Sequence, residues 1–226
     1  MPRTSKSSLT ARSSELTLMP STCLPVVVVL DTSGSMAGQP IRELGEALAQ
    51  FFADVDADED ARDMCEIAVV EVGGEARVAR PFARAREGAE ASLDADGATP
   101  MGEGVTMALD LIEERKRQYS AKGIRYFQPW LVVLSDGQPT DATSAAEDRV
   151  AKLVAAKKLT VFPVATGPDA DLARLGRLAG GTKPVRLAGL EFRAFFRWLS
   201  ASLNVVSRSQ PGTGLALPSP FEWIRT

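Results

Sequence analysis

The stretch Val26-Val27-Val28-Val29-Leu30-Asp31-Thr32-Ser33-Gly34-Ser35-Met36 decides the fold. An unbroken β-branched run of this length has no polar face. It therefore reads as a strand buried on both sides, the kind found inside a parallel sheet. Directly after it, a carboxylate and alternating hydroxyls leave the strand's carboxyl end. In open α/β sheets that edge is where ligands bind.

Beyond this stretch the chain alternates strands and helices. Pro40 suits a first helical turn, and Ile41, Leu44, Leu48, Phe51, Phe52 and Val55 form an apolar stripe at helical spacing. The acidic run Asp54 to Asp60 is expected to end that helix as solvated surface. Cys65 to Val72 and Glu75 to Phe82 read as a hairpin around Gly73-Gly74. A polar, Ala-rich connection then leads to Thr99-Pro100, which opens a helix carrying Val105, Ala108, Leu109 and Ile112. Its charged end, Glu113 to Arg117, reads as solvated.

Trp130 to Leu134 is a second buried strand, and it runs into Ser135-Asp136-Gly137. Ser144 with Glu147 matches a capping box for the next helix. Leu159 to Ala165 follows as a strand, Asp171 to Ala179 as a short helix, and Val185 to Leu187 as a short last strand. Phe192, Phe195, Phe196, Leu199 and Leu203 give a closing amphipathic helix whose aromatics are core. The expected architecture is a Rossmann-like α/β domain over residues 25–206, with helices on both faces of a mostly parallel sheet and one antiparallel edge strand. Residues 1–24 read as a mobile arm with a short segment at Leu16 to Met19. Residues 207–226 read as a Pro/Ser/Gly-rich tail in which Phe221 and Trp223 can dock back. There is no internal repeat.

Composition removes several function classes. The chain has 226 residues and no histidine, so imidazole bases, Ser-His-Asp triads and most mononuclear zinc sites are out. A net charge of -3 argues against a nucleic-acid footprint. Cys23 and Cys65 make neither a CxxC pair nor a disulfide framework and read as reduced thiols, Cys65 at a strand start. No apolar run is long enough to span a bilayer, and the basic N-terminal stretch has no signal-peptide core, so a cytoplasmic protein is expected.

The chemistry rests on five oxygen side chains in three turns: Asp31, Ser33 and Ser35, then Thr99, then Asp136. Hard cations take oxygen ligands, and magnesium wants near-octahedral geometry with retained waters. The hydroxyls are suited to bind directly, the carboxylates directly or through water. Two negative charges against a dication leave the site short of charge, so it should accept an outside carboxylate. Gly34 lets the backbone pass between the serines, while Gly102 and Gly104 are expected to keep the rim open. Each turn also has a plain structural reading, with Thr99 as a helix N-cap and Asp136-Gly137 as an ordinary turn. The three together favour the metal.

The Val26 to Met36 stretch resembles the opening of von Willebrand factor A domains, and the likeness runs over about residues 24 to 206. It implies a metal-ion-dependent adhesion site made by Asp31, Ser33, Ser35, Thr99 and Asp136, holding Mg2+, with Mn2+ or Ca2+ as substitutes. It also implies binding to a protein partner whose Asp or Glu completes the coordination. Leu134-Ser-Asp-Gly-Gln-Pro-Thr-Asp141 is similar to a cytoplasmic bacterial branch, the TerY-type proteins of tellurite-resistance and stress loci. Those are associated with a PP2C-like phosphatase and a protein kinase. Thr140 and Asp141 read as shaping the turn before the next helix, in preference to a role at the metal. A competing reading is a Mg2+-dependent phosphohydrolase or phosphotransferase with Asp31 as nucleophile. It wants a second carboxylate two residues on, where the chain has Ser33, and a phosphate loop that the chain lacks. An interaction module, not an enzyme, is the expectation; a scaffold with purely structural turns is the third reading.

Overall fold

A computed structural model describes residues 22–87, 93–210 and 216–218. The arm's Leu16 to Met19 and the tail's Phe221 and Trp223 lie outside the described residues. Seven strands are described: β1 (Thr22–Asp31), β2 (Cys65–Gly73), β3 (Glu75–Ala83), β4 (Arg125–Tyr126), β5 (Trp130–Ser135), β6 (Thr160–Ala165) and β7 (Val185–Arg186). The helices are α1 (Gln39–Ala57), α2 (Glu59–Met64), α3 (Met101–Ala121), α4 (Ser144–Ala155), α5 (Leu172–Leu178) and α6 (Phe192–Ser207). The sheet order is β3-β2-β1-β5-β6-β7, with the short β4 pairing onto the start of β1. All pairings are parallel except β2 with β3.

Strand alternation explains the two-sided core. Val26, Val28 and Leu30 face a layer that holds α1, α2 and α6, with Phe51, Phe195 and Phe196 wholly buried. Val27 and Val29 face the other layer, formed by α3, α4 and α5. Each large apolar side chain so buried contributes about 1.5–3 kcal/mol relative to exposure. Phe196 lies between Phe51 at 5.2 Å and Phe195 at 5.1 Å, centroid to centroid, at the spacing tilted rings prefer.

The structure corrects several readings. β1 begins at Thr22, so the last residues assigned to the arm belong to the sheet. The acidic run does not simply end α1: Asp58 accepts from the Ala61 N–H at 3.0 Å and caps a separate helix, α2. The Ser144–Glu147 capping box is replaced by Thr143, whose hydroxyl donates to Glu147 Oε1 at 2.6 Å. The tail returns through Leu217, packed against the core, and Pro218, whose carbonyl accepts from Trp198 Nε1 at 2.8 Å. The β2–β3 pairing is irregular near Ile67, and buried Arg80 fills the gap by donating to the Ile67 and Arg84 carbonyls, both at 2.6 Å.

Cys23 and Cys65 are free and buried, Cys65 as the first residue of β2. Burial pushes the Cys23 thiol up to about 11 and Cys65 further still, so both stay protonated and unreactive. Among the described residues no helix is long and apolar enough to cross a membrane.

Candidate metal centre

β1 and β5 are neighbours in the sheet, and from β1 the chain returns to β2 on one side and β5 on the other. This is a topological switch point, and the carboxyl ends of both strands open there. Asp31 is the last residue of β1, and Ser135 the last of β5.

Asp31 is 2% exposed and both of its carboxylate oxygens are engaged. Oδ1 accepts from the Ser33 N–H at 3.0 Å and from Ser33 Oγ at 2.6 Å, while Oδ2 accepts from Ser135 Oγ at 3.0 Å. Ser33 Oγ lies 3.0 Å from Ser35 Oγ. A 3-10 turn over Gly34–Met36 carries the second serine up to the exposed surface. Ser135 in turn accepts from the Gly137 N–H at 3.0 Å, and Asp136 Oδ1 accepts from the Gln138 N–H at 2.9 Å, holding the third turn in shape.

Burial raises Asp31 above its ordinary carboxylate value. The Ser33 hydrogen bonds oppose that shift, the negative charge of Asp136 adds to it, and the Ser135 bond opposes it. A buried carboxylate facing a second carboxylate is short of positive charge, and a dication between them would supply it.

Thr99, 6% exposed, sits on a loop tied to both neighbours. The Gly97 carbonyl accepts from Gly34 N–H at 3.0 Å, the Ala98 carbonyl from Gly74 N–H at 2.8 Å, and the Thr99 carbonyl from Thr140 N–H at 2.9 Å. This close approach requires glycine: a β-carbon on Gly97 would lie 2.5 Å from the Gly74 Cα, and Gly97 has φ +63°. Thus Ser33 is in direct contact with both Asp31 and Ser35. Asp136 faces Asp31 electrostatically, and Thr99 is placed by its loop's backbone bonds to the other two turns.

Thr99 does not cap its own helix. Pro100 holds the N-cap position of α3 without a side-chain bond. Gly102 and Gly104 do not keep a rim open either. A β-carbon at Gly102 would meet the Ala142 carbonyl at 2.5 Å, and one at Gly104 would meet Val72 Cγ2 at 2.4 Å. Both permit close packing. The bonds of Ser135, Thr140 and Asp141 to the Asp31 and Thr99 turns have no signal in the sequence pattern beyond the adjacency of Ser135 to Asp136, since their partners lie 38 to 104 positions away. Thr140 and Asp141 do not merely shape their turn; both reach across to the Thr99 loop.

Among the described residues no three His, Cys, Asp or Glu side chains cluster as a metal cage. The donor set is instead hydroxyl-rich, with two carboxylates, which suits a hard cation retaining part of its water.

A sequence profile of the von Willebrand factor type A domain matches residues 26–193. Inter-alpha-trypsin inhibitor heavy chain H4 of Sus scrofa is 32% identical over 123 residues, which are 51% of this chain and 12% of that protein. The chain thus spans about an eighth of that relative's length. A von Willebrand factor type A structure from Catenulispora acidiphila superposes with a TM-score of 0.60 at 19% identity, covering 81% of this chain and 43% of that one. The manganese-loaded Plasmodium vivax TRAP protein gives 0.55 at 14% identity, covering 80% and 74%. At those identities the structures speak to the fold alone, and the fold agrees with the profile. The chain belongs to the von Willebrand factor type A domain family.

Proposed function

We propose that this domain is a metal-dependent protein-interaction module. The reading is carried by the contact of Asp31, Ser33 and Ser35 at the carboxyl end of β1, facing Asp136 across the sheet's switch point. Ser33, Ser35 and Thr99 would hold the ion through their hydroxyls, with Asp31 and Asp136 bonding directly or through water. A bound Mg2+, or Mn2+ or Ca2+ in its place, would supply the positive charge that balances the two carboxylates and an exchangeable position for an outside ligand. The chain's own residues set the selectivity. Ser33 and Ser135 fix the Asp31 carboxylate, and exposed Ser35 brings the open side of the site to solvent. A partner's Asp or Glu is the hard ligand that such a charge-poor site accepts.

The manganese named for the TRAP relative supports the metal. The similarity of Leu134 to Asp141 to the TerY-type branch supports a cytoplasmic adaptor in a stress or tellurite-resistance assembly with a PP2C-like phosphatase and a kinase. Asp31 acts in this reading as a ligand, not a nucleophile, because Ser33 stands two residues on, where a phosphoryl-transfer nucleophile wants a second carboxylate. The domain then does no chemistry of its own.

The immobilised chain, challenged with a host extract, is expected to retain its partner in Mg2+, release it in EDTA, and retain none as Ser33→Ala. The partner is then identified, and its contact Asp or Glu is changed to Asn or Gln, which should abolish retention. Retention unchanged in excess EDTA contradicts the proposal.

A further inference from the structure

Thr99 is the one proposed ligand on a loop with no strand end to hold it. Its N–H donates to Thr140 Oγ1 at 3.1 Å, and its carbonyl accepts from the Thr140 N–H at 2.9 Å. Both backbone polar groups of Thr99 are therefore bonded to one residue on the loop after β5, the carbonyl being shared with the Met101 N–H at 2.8 Å. One residue further, the Asp141 carboxylate accepts from the N–H groups of Gly102 at 3.0 Å and Glu103 at 2.8 Å. These are free amides of the first turn of α3, whose own cap position is Pro100. The cap is thus supplied from a distant loop, by a charged acceptor aligned with the helix dipole. Gly102 supports the same junction independently, since its missing β-carbon leaves the room that Asp141 Oδ2 and the Ala142 carbonyl occupy.

We infer that Thr140 and Asp141 are positioning residues for the metal centre, clamping the Thr99 loop to the loop that carries Asp136. The inference rests on the metal reading above and adds what sets the ligand geometry. Asp136 and Thr140 belong to one short loop, so the clamp fixes the spacing between the third-turn carboxylate and the second-turn hydroxyl. With its backbone held on both sides, Thr99 keeps only its stiff, β-branched χ1 to aim the hydroxyl. Neither Thr140 nor Asp141 needs to touch the ion.

The test is the affinity of the purified full chain for Mn2+, read from the electron paramagnetic resonance signal of the free ion. Thr140→Val and Asp141→Ala are expected to weaken binding roughly 10–100-fold, the usual effect of losing an outer support. Thr140→Ser, which keeps the hydroxyl acceptor, should restore most of it. The deciding readout is the same pair of substitutions in a Thr99→Ala background. If the clamp acts through Thr99, they cost little further affinity there. Wild-type binding with undiminished affinity in the folded single variants overturns the inference. So does an equal loss with and without Thr99, which would mean a general loosening of the fold. Should Asp141→Ala fail to fold, the Thr140 pair decides alone. Absence of Mn2+ binding by the wild-type chain overturns the metal reading itself, and the clamp's role with it.

Discussion

Asp31→Asn is expected to abolish metal binding while making the metal-free domain more stable. The two effects have one cause. Asp31 is almost fully buried beside Asp136, and burial raises its carboxyl above the ordinary range. A raised carboxyl favours the protonated form in the fold. Its contribution to stability is therefore present at low pH and lost as pH rises through the raised value. At neutral pH the ionised group is a liability unless a cation faces it. Asparagine removes that liability and keeps an acceptor for Ser33. It also removes one of two charges facing the ion. At about 4 Å and an effective dielectric of 20, a single unit-charge pair is worth about 4 kcal/mol. A loss of at least about 100-fold in affinity, or roughly 2.7 kcal/mol, is the modest end of that expectation. Thermal unfolding checks both halves. Wild-type Tm should rise with added Mg2+, while Asp31→Asn should start higher and not respond. A variant that is destabilised, or that still responds to Mg2+, contradicts this account.

The second large effect lies at the opposite end of the sheet. Glu66 on β2 is 2% exposed and is held by three groups on α3 and its surface. Arg115 Nε donates to Glu66 Oε2 at 2.7 Å, a second guanidinium nitrogen donates to Oε1, and the Tyr119 hydroxyl donates to Oε2. Burial raises Tyr119, and the Glu66 charge and hydrogen bond reinforce it, so the phenol keeps its proton and remains a donor. Arg115→Ala would leave a buried carboxylate without its counter-charge, which costs about 3–5 kcal/mol. Replacing Glu66 and Arg115 together by leucines, with Tyr119→Phe to remove the hydroxyl that Glu66 accepts from, should recover most of that, because neither a charge nor a buried donor is then stranded. Urea unfolding of the metal-free chain measures it. A loss below about 1 kcal/mol, the scale of an exposed ion pair, contradicts the assignment. Metal affinity should be unchanged, since Glu66 pairs with Pro25 near the strand starts, away from Asp31.

What could be read from the sequence was what repeats locally. The β-branched run of β1 and the stripe of α1 carry their signal within a few residues and appear where their pattern places them, while the hairpin turns on Gly74 alone, Gly73 being the last residue of β2. The DxSxS turn is legible for the same reason, because Ser33 bonds to both Asp31 and Ser35 within five residues. What was not legible depends on distant partners. The acidic run around Asp58 looked like solvated surface, yet Asp58 caps α2 and pairs with Arg208 at 2.7 Å, 150 residues away. Ser135 and Asp141 look like turn residues until β5 is set beside β1 and the loop after it beside α3. The two-residue β4 has no periodicity to read and exists only because β1 offers it an edge. Gly102 and Gly104 serve close packing, and in sequence a glycine needed for close packing looks like one needed for an open loop.

The most direct test of the central claim is the anomalous difference map of a crystal grown or soaked with Mn2+. One octahedral ion is expected at the carboxyl ends of β1 and β5, bonded to the Ser33 and Ser35 hydroxyls close to the roughly 2.1 Å of a Mg2+ site. Thr99, Asp31 and Asp136 should bond to it directly or through water, and one position should be held by solvent or by a carboxylate from another molecule. An ion bound elsewhere, or no anomalous density between Asp31 and Asp136 in a crystal saturated with Mn2+, would contradict it.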